Sequence, residues 1–257
     1  MVLLNLDLTM KSGQTPEFIW SENNGKYSRL VGGRLCELWH DGKLRFTQGF
    51  ESRVMELLRK DDDLERIYKR INTDDLMGEA IKNYRGLRIT KSDPWETTLS
   101  FICSINNNIK RIRKNVQSLM VDGRVMTPEE ILNTDISFAR LGFRQKFLKK
   151  TAEMIIGGHS ISGVNKMRYE EAVEHLTRLH GIGDKVANCI LLFGYGFLES
   201  FPIVTWIRKI MVENYFDGKK TSDKKIQGFA QERWGKYAGY ANQYLFCYAR
   251  KLETDFI

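Results

Sequence analysis

The segment 176–187 combines two glycines and a lysine in a pattern that can hold a DNA strand. A helix that ends near Leu179 is followed by Gly181 and Gly183, and a second helix starts at Asp184. The glycines allow a tight turn, and its exposed amides together with the positive end of the second helix form a site for one DNA phosphate. Such a site binds DNA without reading its sequence. The glycines alone leave an ordinary connection between two helices as the alternative.

Lys185 adds a nucleophile to this turn. It lies in the first turn of the second helix, where the helix dipole disfavours an ammonium ion. A neutral and partly desolvated lysine amine is suited to Schiff-base chemistry. The neighbouring Asp184 works against that effect, and a solvated surface lysine is the alternative for any single lysine.

Further stretches accompany this segment in a fixed order along the chain. They are Leu6–Trp20 with Ser12-Gly13-Gln14, Asp93–Glu96, Ser100–Ile109, Gly239–Phe246 and, as a weaker match, Leu141–Arg144. Together with segment 176–187 they resemble the 8-oxoguanine DNA glycosylase branch of the helix-hairpin-helix DNA glycosylases, over nearly the whole chain. His180 stands where that family usually has proline. The absence of a four-cysteine cluster argues against the iron–sulfur branch of the superfamily.

The resemblance implies roles in catalysis and in reading the damaged base. Lys185 matches the lysine that attacks the sugar C1′, expels the base and forms the imine from which strand cleavage proceeds. Gly13 matches the residue whose carbonyl reads N7, which carries a hydrogen in 8-oxoguanine and a lone pair in guanine. A fixed carbonyl there favours the lesion by about 1–3 kcal/mol. Cys189 and Phe246 match the pair that sandwiches the flipped base.

The resemblance also implies a DNA-binding surface. Asn106 matches the residue that fills the space left by the flipped base, and Phe143 stands where an aromatic wedge is expected. Arg111 and Arg144 match the arginines that hold the unpaired cytosine. To the same surface we assign Gly181, Gly183 and Trp206.

Two positions depart from the family pattern. Asn242 stands where the family reads the Watson–Crick edge of the base with glutamine; it is one methylene shorter, and the adjacent Gln243 is the residue that could compensate. Val204, in the segment 202–206, occupies the position of the catalytic aspartate. That carboxylate caps a helix and stabilises the positive charge that develops on the sugar. Thr205 could replace the cap, but nothing in register replaces the charge.

Two functions follow from these residues. The first is base-excision repair: a DNA glycosylase with AP lyase activity that removes 8-oxoguanine from duplex DNA through Lys185, impaired by Val204. The alternative is a catalytically weak or inactive protein that binds the 8-oxoguanine lesion, or a trapping variant. A generic helix-hairpin-helix scaffold does not explain Gly13, Asn106 and Phe246 together.

The elements that must position these residues predict an α+β fold. Two strand-like runs flank Asp41-Gly42, and the first 50 residues predict an antiparallel sheet. From residue 90 the chain reads as helical, with helix starts marked at Asp93 and Thr127. We expect a sheet domain with short helices over residues 1–88 and a helical domain over residues 89–257. The resemblance implies a sheet of the TATA-binding-protein type and the helix-hairpin-helix glycosylase fold.

Composition agrees with a nucleic-acid partner. The chain has 257 residues, with 40 Lys and Arg against 32 Asp and Glu, a net charge of +8. Such an excess suggests a polyanionic partner, nucleic acid before a membrane surface, although many basic proteins bind no nucleic acid. The resemblance implies double-stranded DNA that contains 8-oxoguanine as the partner. The 4 cysteines form no cluster, which predicts free thiols, no metal site and no cofactor. No signal peptide or membrane span is expected. We therefore expect a monomeric intracellular protein of the cytoplasm or nucleoid, or of the nucleus in a eukaryote.

Overall fold

The computed structural model describes residues 3–254 and contains one four-stranded antiparallel sheet and a short two-stranded ribbon. In the sheet the strands lie in sequence order, and the Asp41-Gly42 hairpin is confirmed because His40 pairs with Leu44 across it. The strands are β1 (Ser21–Asn23), β2 (Lys26–Val31), β3 (Arg34–His40) and β4 (Leu44–Phe46), and in the ribbon β5 (Met120–Val121) and β6 (Arg124–Val125).

Helices make up most of the remaining structure, as the α+β prediction requires. Within residues 3–254 they are α1 (Leu6–Met10), α2 (Thr15–Ile19), α3 (Glu51–Leu57), α4 (Leu64–Ile71), α5 (Asp75–Asn83), α6 (Pro94–Cys103), α7 (Ile109–Ser118), α8 (Pro128–Asn133), α9 (Arg144–Ile156), α10 (Tyr169–Thr177), α11 (Asp184–Ile190), α12 (Thr205–Tyr215), α13 (Asp223–Trp234) and α14 (Ala238–Thr254). None of these helices has both the length and the apolar character needed to cross a membrane.

The first 20 residues differ from the predicted sheet, because α1 and α2 precede β1. The side chain of Asn5 caps α1 by accepting from the Leu8 amide, and Pro16 lies in the first turn of α2. Each helix has only five residues. A helix this short does not display the 3.6-residue apolar repeat from which a helix is predicted.

The helix starts marked by capping residues are confirmed. The Asp93 carboxylate accepts from the amides of Trp95 and Glu96 at the start of α6. Thr127 and Glu130 form both bonds of a capping box at the start of α8. Each cap satisfies amides that have no partner within the helix, so the local sequence determines where the helix begins.

The loop between α1 and α2 is fixed to the extended segment 87–90 by buried polar side chains. Gln14 is fully buried; its Nε2 donates to the Arg88 carbonyl at 2.9 Å, and its Oε1 accepts from the Thr90 amide at 2.8 Å. The Arg88 guanidinium is buried as well and donates to carbonyls of the segment 58–62. Because these buried groups are paired, this loop is held in one conformation.

Helix α6 lies at the centre of the helical part. All of its residues from Glu96 to Cys103 are buried, and it packs against α7, α9 and α11. Beyond α11 the chain continues as a π-helical turn over Leu191–Tyr195. Helix α11 and the π-helical turn both pack against α6, and the first turn of α11, which contains Lys185, lies beside the end of α6.

Candidate active site and DNA-binding surface

Lys185 is half-buried in the first turn of α11 and is held by a hydroxyl. Its Nζ donates to Oγ of Ser104 at 2.9 Å, and that hydroxyl donates to the Phe101 carbonyl at 2.7 Å. Ser104 is the residue that ends α6. The amine is therefore directed toward the turn that follows α6. Ser104 was not predicted as a site residue, although it lies inside the stretch Ser100–Ile109 that carries the family resemblance.

Cys189 follows Lys185 by one helical turn and is 1% exposed. Burial raises the pKa of its thiol to about 11, while the charge of Lys185 acts weakly in the opposite direction. At neutral pH the thiol is protonated and behaves as a small, polarizable apolar group. This state suits a packing contact with a base rather than nucleophilic attack.

Gly13 and Phe246, which the sequence analysis assigned to one base from opposite ends of the chain, are in contact. Gly13 has φ +77°, and a Cβ placed on it would lie 2.9 Å from Cε1 of Phe246. That separation is too short for a real Cβ, and the positive φ also disfavours other residues. Phe246 is half-buried on α14. Glycine at position 13 therefore lets the backbone approach the aromatic ring.

The turn 104–109 between α6 and α7 links the lysine to this contact. At its start Ser104 holds Lys185, and at its end Cδ1 of Ile109 lies 3.6 Å from the position of a Cβ on Gly13. Between them, Asn106 is exposed with φ +46°. The nucleophile and the candidate base-binding residues thus border the same turn.

Asn242 and Gln243 are buried on α14, and both side chains bind loops at the border of the site. Nδ2 of Asn242 donates to the Pro202 carbonyl at 3.1 Å. Nε2 of Gln243 donates to the Ser12 carbonyl at 2.8 Å. The structure thus gives Asn242 a contact with the turn before α12, and its predicted role in reading the base edge stays a prediction.

Val204, which the resemblance aligned with the catalytic aspartate, lies at the N-cap position of α12. Its backbone is extended, as a cap requires, but its side chain forms no capping hydrogen bond. Thr205 does not replace the cap, and the first turn of α12 contains no acidic residue. Trp206 is half-buried in that turn. The positive end of α12 is therefore left without a carboxylate from its own cap or first turn.

Arg144 supports the Asn106 turn from inside. It is 6% exposed; its Nε donates to the Ile105 carbonyl and its Nη2 to the Asn106 carbonyl, both at 2.6 Å. Burial lowers the pKa of Arg144, and the nearby charge of Arg111 lowers it further. Arg111, by contrast, is exposed in the first turn of α7. Of the two predicted cytosine ligands, Arg111 presents its side chain to solvent, while Arg144 is bound to backbone carbonyls.

The hairpin between α10 and α11 requires one of its two glycines. Gly181 has φ +83°, and a Cβ there would lie 2.6 Å from Cγ of Phe147. Gly183 is exposed, has a negative φ and has no atom near the position of a Cβ. The Phe147 ring also contacts the Phe143 ring at a centroid distance of 5.6 Å. Phe143 is 51% exposed, so the candidate wedge lies beside the hairpin on an open surface.

Comparisons with known proteins relate the chain to DNA glycosylases. Residues 2–98 match the model of the 8-oxoguanine DNA glycosylase N-terminal domain. A probable N-glycosylase/DNA lyase of Methanothermobacter thermautotrophicus is 28% identical over 96% of this chain and 94% of its own length. The N-glycosylase/DNA lyase of Saccharomyces cerevisiae is 25% identical over 92% of this chain and 81% of its own length.

Solved structures extend the likeness to the whole fold. The 8-oxoguanine glycosylase/lyase of Clostridium acetobutylicum, in complex with double-stranded DNA containing cytosine opposite 8-oxoguanine, is 28% identical with a TM-score of 0.90. The match covers 98% of this chain and 94% of that one. The apo-form of the same protein matches with a TM-score of 0.85 over 96% of this chain and 94% of that one. Over nearly its whole length the chain is therefore similar to 8-oxoguanine glycosylase/lyases.

Proposed function

We propose that this protein is a DNA glycosylase with AP lyase activity that removes 8-oxoguanine from duplex DNA. The observation that carries the proposal is the arrangement around turn 104–109. The Lys185 amine lies at one end of this turn, and the contact between Gly13 and Phe246 lies at the other. The relatives described above are named for the same pair of activities. Activity on DNA implies an intracellular location.

Lys185 is the nucleophile in this reaction. Its amine attacks C1′ of the flipped nucleotide, the bond between C1′ and N9 breaks, and the base leaves with the bonding electron pair. The nitrogen then loses a proton and forms a protonated imine with C1′, while the bond from C1′ to the ring oxygen breaks and that oxygen takes up a proton. In the β-elimination that follows, C2′ loses a proton and the bond between C3′ and its phosphate oxygen breaks, with the phosphate as the leaving group. The hydrogen bond from Nζ to Ser104 fixes the direction of the amine before DNA binds.

The base pocket combines Gly13, Phe246 and Cys189. The carbonyl of Gly13 accepts the N7 hydrogen of 8-oxoguanine and opposes the N7 lone pair of guanine. Phe246 and the protonated thiol of Cys189 pack on the two faces of the base. Asn106 fills the space that the flipped base leaves in the duplex, and Arg111 and Arg144 contact the unpaired cytosine. The amides of the hairpin bind a phosphate.

Val204 lowers the rate of this reaction. A carboxylate at the start of α12 would stabilise the positive charge that develops on the sugar, and no such group is present in the cap or the first turn. The same observation favours a second candidate function, a lesion-binding protein with little turnover. In that case the protein selects 8-oxoguanine through the same pocket but releases it unchanged.

One incubation separates the two functions. The protein is mixed with a duplex that contains 8-oxoguanine opposite cytosine, in the presence of borohydride, which reduces the imine to a stable adduct. A covalent adduct that disappears in Lys185→Gln supports the enzyme. A duplex that is retarded in a gel but never trapped supports the lesion-binding protein. A protein that neither retards nor traps the lesion duplex contradicts both.

A further inference from the structure

The loop that contains Gly13 is held by two side chains, Glu17 and Gln243, and neither the comparisons nor the resemblance gives them this positioning role. Glu17, half-buried in the first turn of α2, accepts from the Gly13 amide through Oε2 at 2.5 Å. Gln243, buried on α14, donates to the Ser12 carbonyl at 2.8 Å. We propose that Glu17 and Gln243 are positioning residues that set the selectivity of the site for 8-oxoguanine over guanine. This inference rests on the proposed function.

The two bonds act on a single rigid group. The Ser12 carbonyl and the Gly13 amide belong to one peptide unit, which is planar. Glu17 and Gln243 therefore hold both polar atoms of the same plane, from opposite sides of the peptide. A peptide bound at both its N–H and its C=O does not rotate without breaking one of these bonds.

The chain on the other side of Gly13 is fixed as well. Gln14 forms buried hydrogen bonds through both ends of its amide, to the Arg88 carbonyl and from the Thr90 amide. With the preceding peptide and the following side chain both held, the Gly13 carbonyl has one direction. That oxygen accepts no hydrogen bond from the part of the chain that the structure describes. It is therefore a free acceptor with a defined orientation.

Orientation matters here because glycine alone cannot supply it. Glycine adopts positive and negative φ with similar ease, so Gly13 by itself would sample several directions of its carbonyl. Selectivity against guanine depends on placing that oxygen against N7, where a hydrogen attracts it and a lone pair repels it. The close contact of Gly13 with Phe246 requires the glycine, and the bonds to Glu17 and Gln243 remove the freedom that the glycine introduces.

The charge of Glu17 strengthens the hydrogen bond that this side chain accepts from the Gly13 amide. A hydrogen bond from a backbone amide to a carboxylate is about twice as strong as one between neutral groups. Gln at position 17 keeps an acceptor for the Gly13 amide but not the charge, and Ala removes both. The series Glu, Gln, Ala should therefore weaken the fixation in two steps.

The test compares the dissociation constants of two duplexes that differ only in 8-oxoguanine or guanine opposite cytosine. Selectivity is the dissociation constant for the guanine duplex divided by that for the 8-oxoguanine duplex. We expect Glu17→Ala to lower this ratio about tenfold, mainly through weaker binding of the lesion. The ratio for Glu17→Gln should lie between those of Glu17→Ala and the parent. Glu51→Ala is the matched control, because Glu51 accepts from the amide of Gly49, another glycine with positive φ, outside the site. It should leave the ratio unchanged.

A measurement without DNA tests the hydrogen bond itself. In a ¹H–¹⁵N spectrum the Gly13 amide proton should move upfield in Glu17→Gln while most other amides stay in place, which also shows that the variant is folded. A parent that binds both duplexes equally overturns the proposed function and this inference with it. A selective parent whose Glu17→Ala variant is equally selective, or loses affinity for both duplexes alike, overturns the positioning role only.

Discussion

At the scale of single residues, Val204 departs from the pattern of the family that the chain resembles. It has the backbone conformation of an N-cap but a side chain that neither accepts a hydrogen bond nor carries a charge. Two properties that an aspartate would supply are therefore absent at this position, a cap on the helix and a negative charge. Different substitutions restore them separately, because asparagine caps a helix and has no charge.

We expect Val204→Asp to raise the single-turnover rate of 8-oxoguanine excision by about 10²–10³. In other enzymes, removing a group aimed at a developing charge lowers the rate by a factor of that size. Val204→Asn should stabilise the fold to a similar degree, about 1 kcal/mol, without the gain in rate. Equal excision rates for the parent and the Val204→Asp variant would show that the missing carboxylate is not what limits the chemistry.

At the scale of elements, the hairpin between α10 and α11 contains one glycine that its conformation requires and one that it does not. Gly181 needs its positive φ and its lack of a side chain, while Gly183 has neither requirement. We expect Gly181→Ala to lower the free energy of unfolding by about 2–3 kcal/mol, from backbone strain and the clash with Phe147. Gly183→Ala should stay within about 0.5 kcal/mol of the parent. Urea unfolding of both variants measures this, and equal losses would contradict it.

The elements also show what sequence can predict. The helices capped by Asp93 and Thr127 were predictable because a cap is a local signal. Helices α1 and α2 were not, because five residues are too few for an apolar repeat. The division into residues 1–88 and 89–257 stays a prediction.

In the site, family motifs pointed to Lys185, Gly13 and Phe246, and the structure places all three around turn 104–109. The partners that orient them escaped prediction. Ser104 is 81 residues from Lys185, and Gln243 is 231 residues from Ser12. Contacts between such distant positions depend on tertiary packing, which no local pattern encodes. The contact of Glu17 is local by comparison, because Glu17 lies only four residues after Gly13, in the first turn of α2.

At the scale of the whole molecule, Asp74 joins helices from both halves of the chain. It caps α5 through the Met77 amide, forms an ion pair with Arg233 of α13 at 2.7 Å and accepts from the Tyr215 hydroxyl of α12. Burial alone would raise the pKa of Asp74, but these three partners outweigh it and lower the pKa below the usual 3.8. The stability that this carboxylate contributes is therefore present above about pH 4 and is lost as pH falls through the lowered pKa.

We expect Asp74→Asn to reduce the free energy of unfolding by about 1–2 kcal/mol at pH 7, because asparagine keeps the cap but loses the ion pair. The difference from the parent should shrink at pH 3, because this pH lies below the pKa of an unfolded aspartate and unfolding then takes up a proton. Denaturant unfolding at both pH values measures this. Asp217→Asn, in an exposed pair with Lys219, serves as the control and should have no effect. A constant deficit at both pH values would assign the loss to packing instead of charge.

The net charge of +8 contributes to DNA affinity only through basic side chains that lie close to phosphates. If the basic side chains on the DNA-binding surface, Lys185 and Arg111 among them, displace the counterions of about four phosphates, affinity should fall about 10²-fold between 50 and 200 mM salt. Arg111→Gln should flatten the slope of log affinity against log salt by about one while leaving stability unchanged, because the side chain is exposed. Lys82→Gln, which removes an exposed lysine paired with Glu79 on α5, should change neither. Fluorescence anisotropy with an undamaged duplex measures all three slopes. Identical slopes for the Arg111 and Lys82 variants would mean that the surface around Asn106 does not contact the DNA backbone.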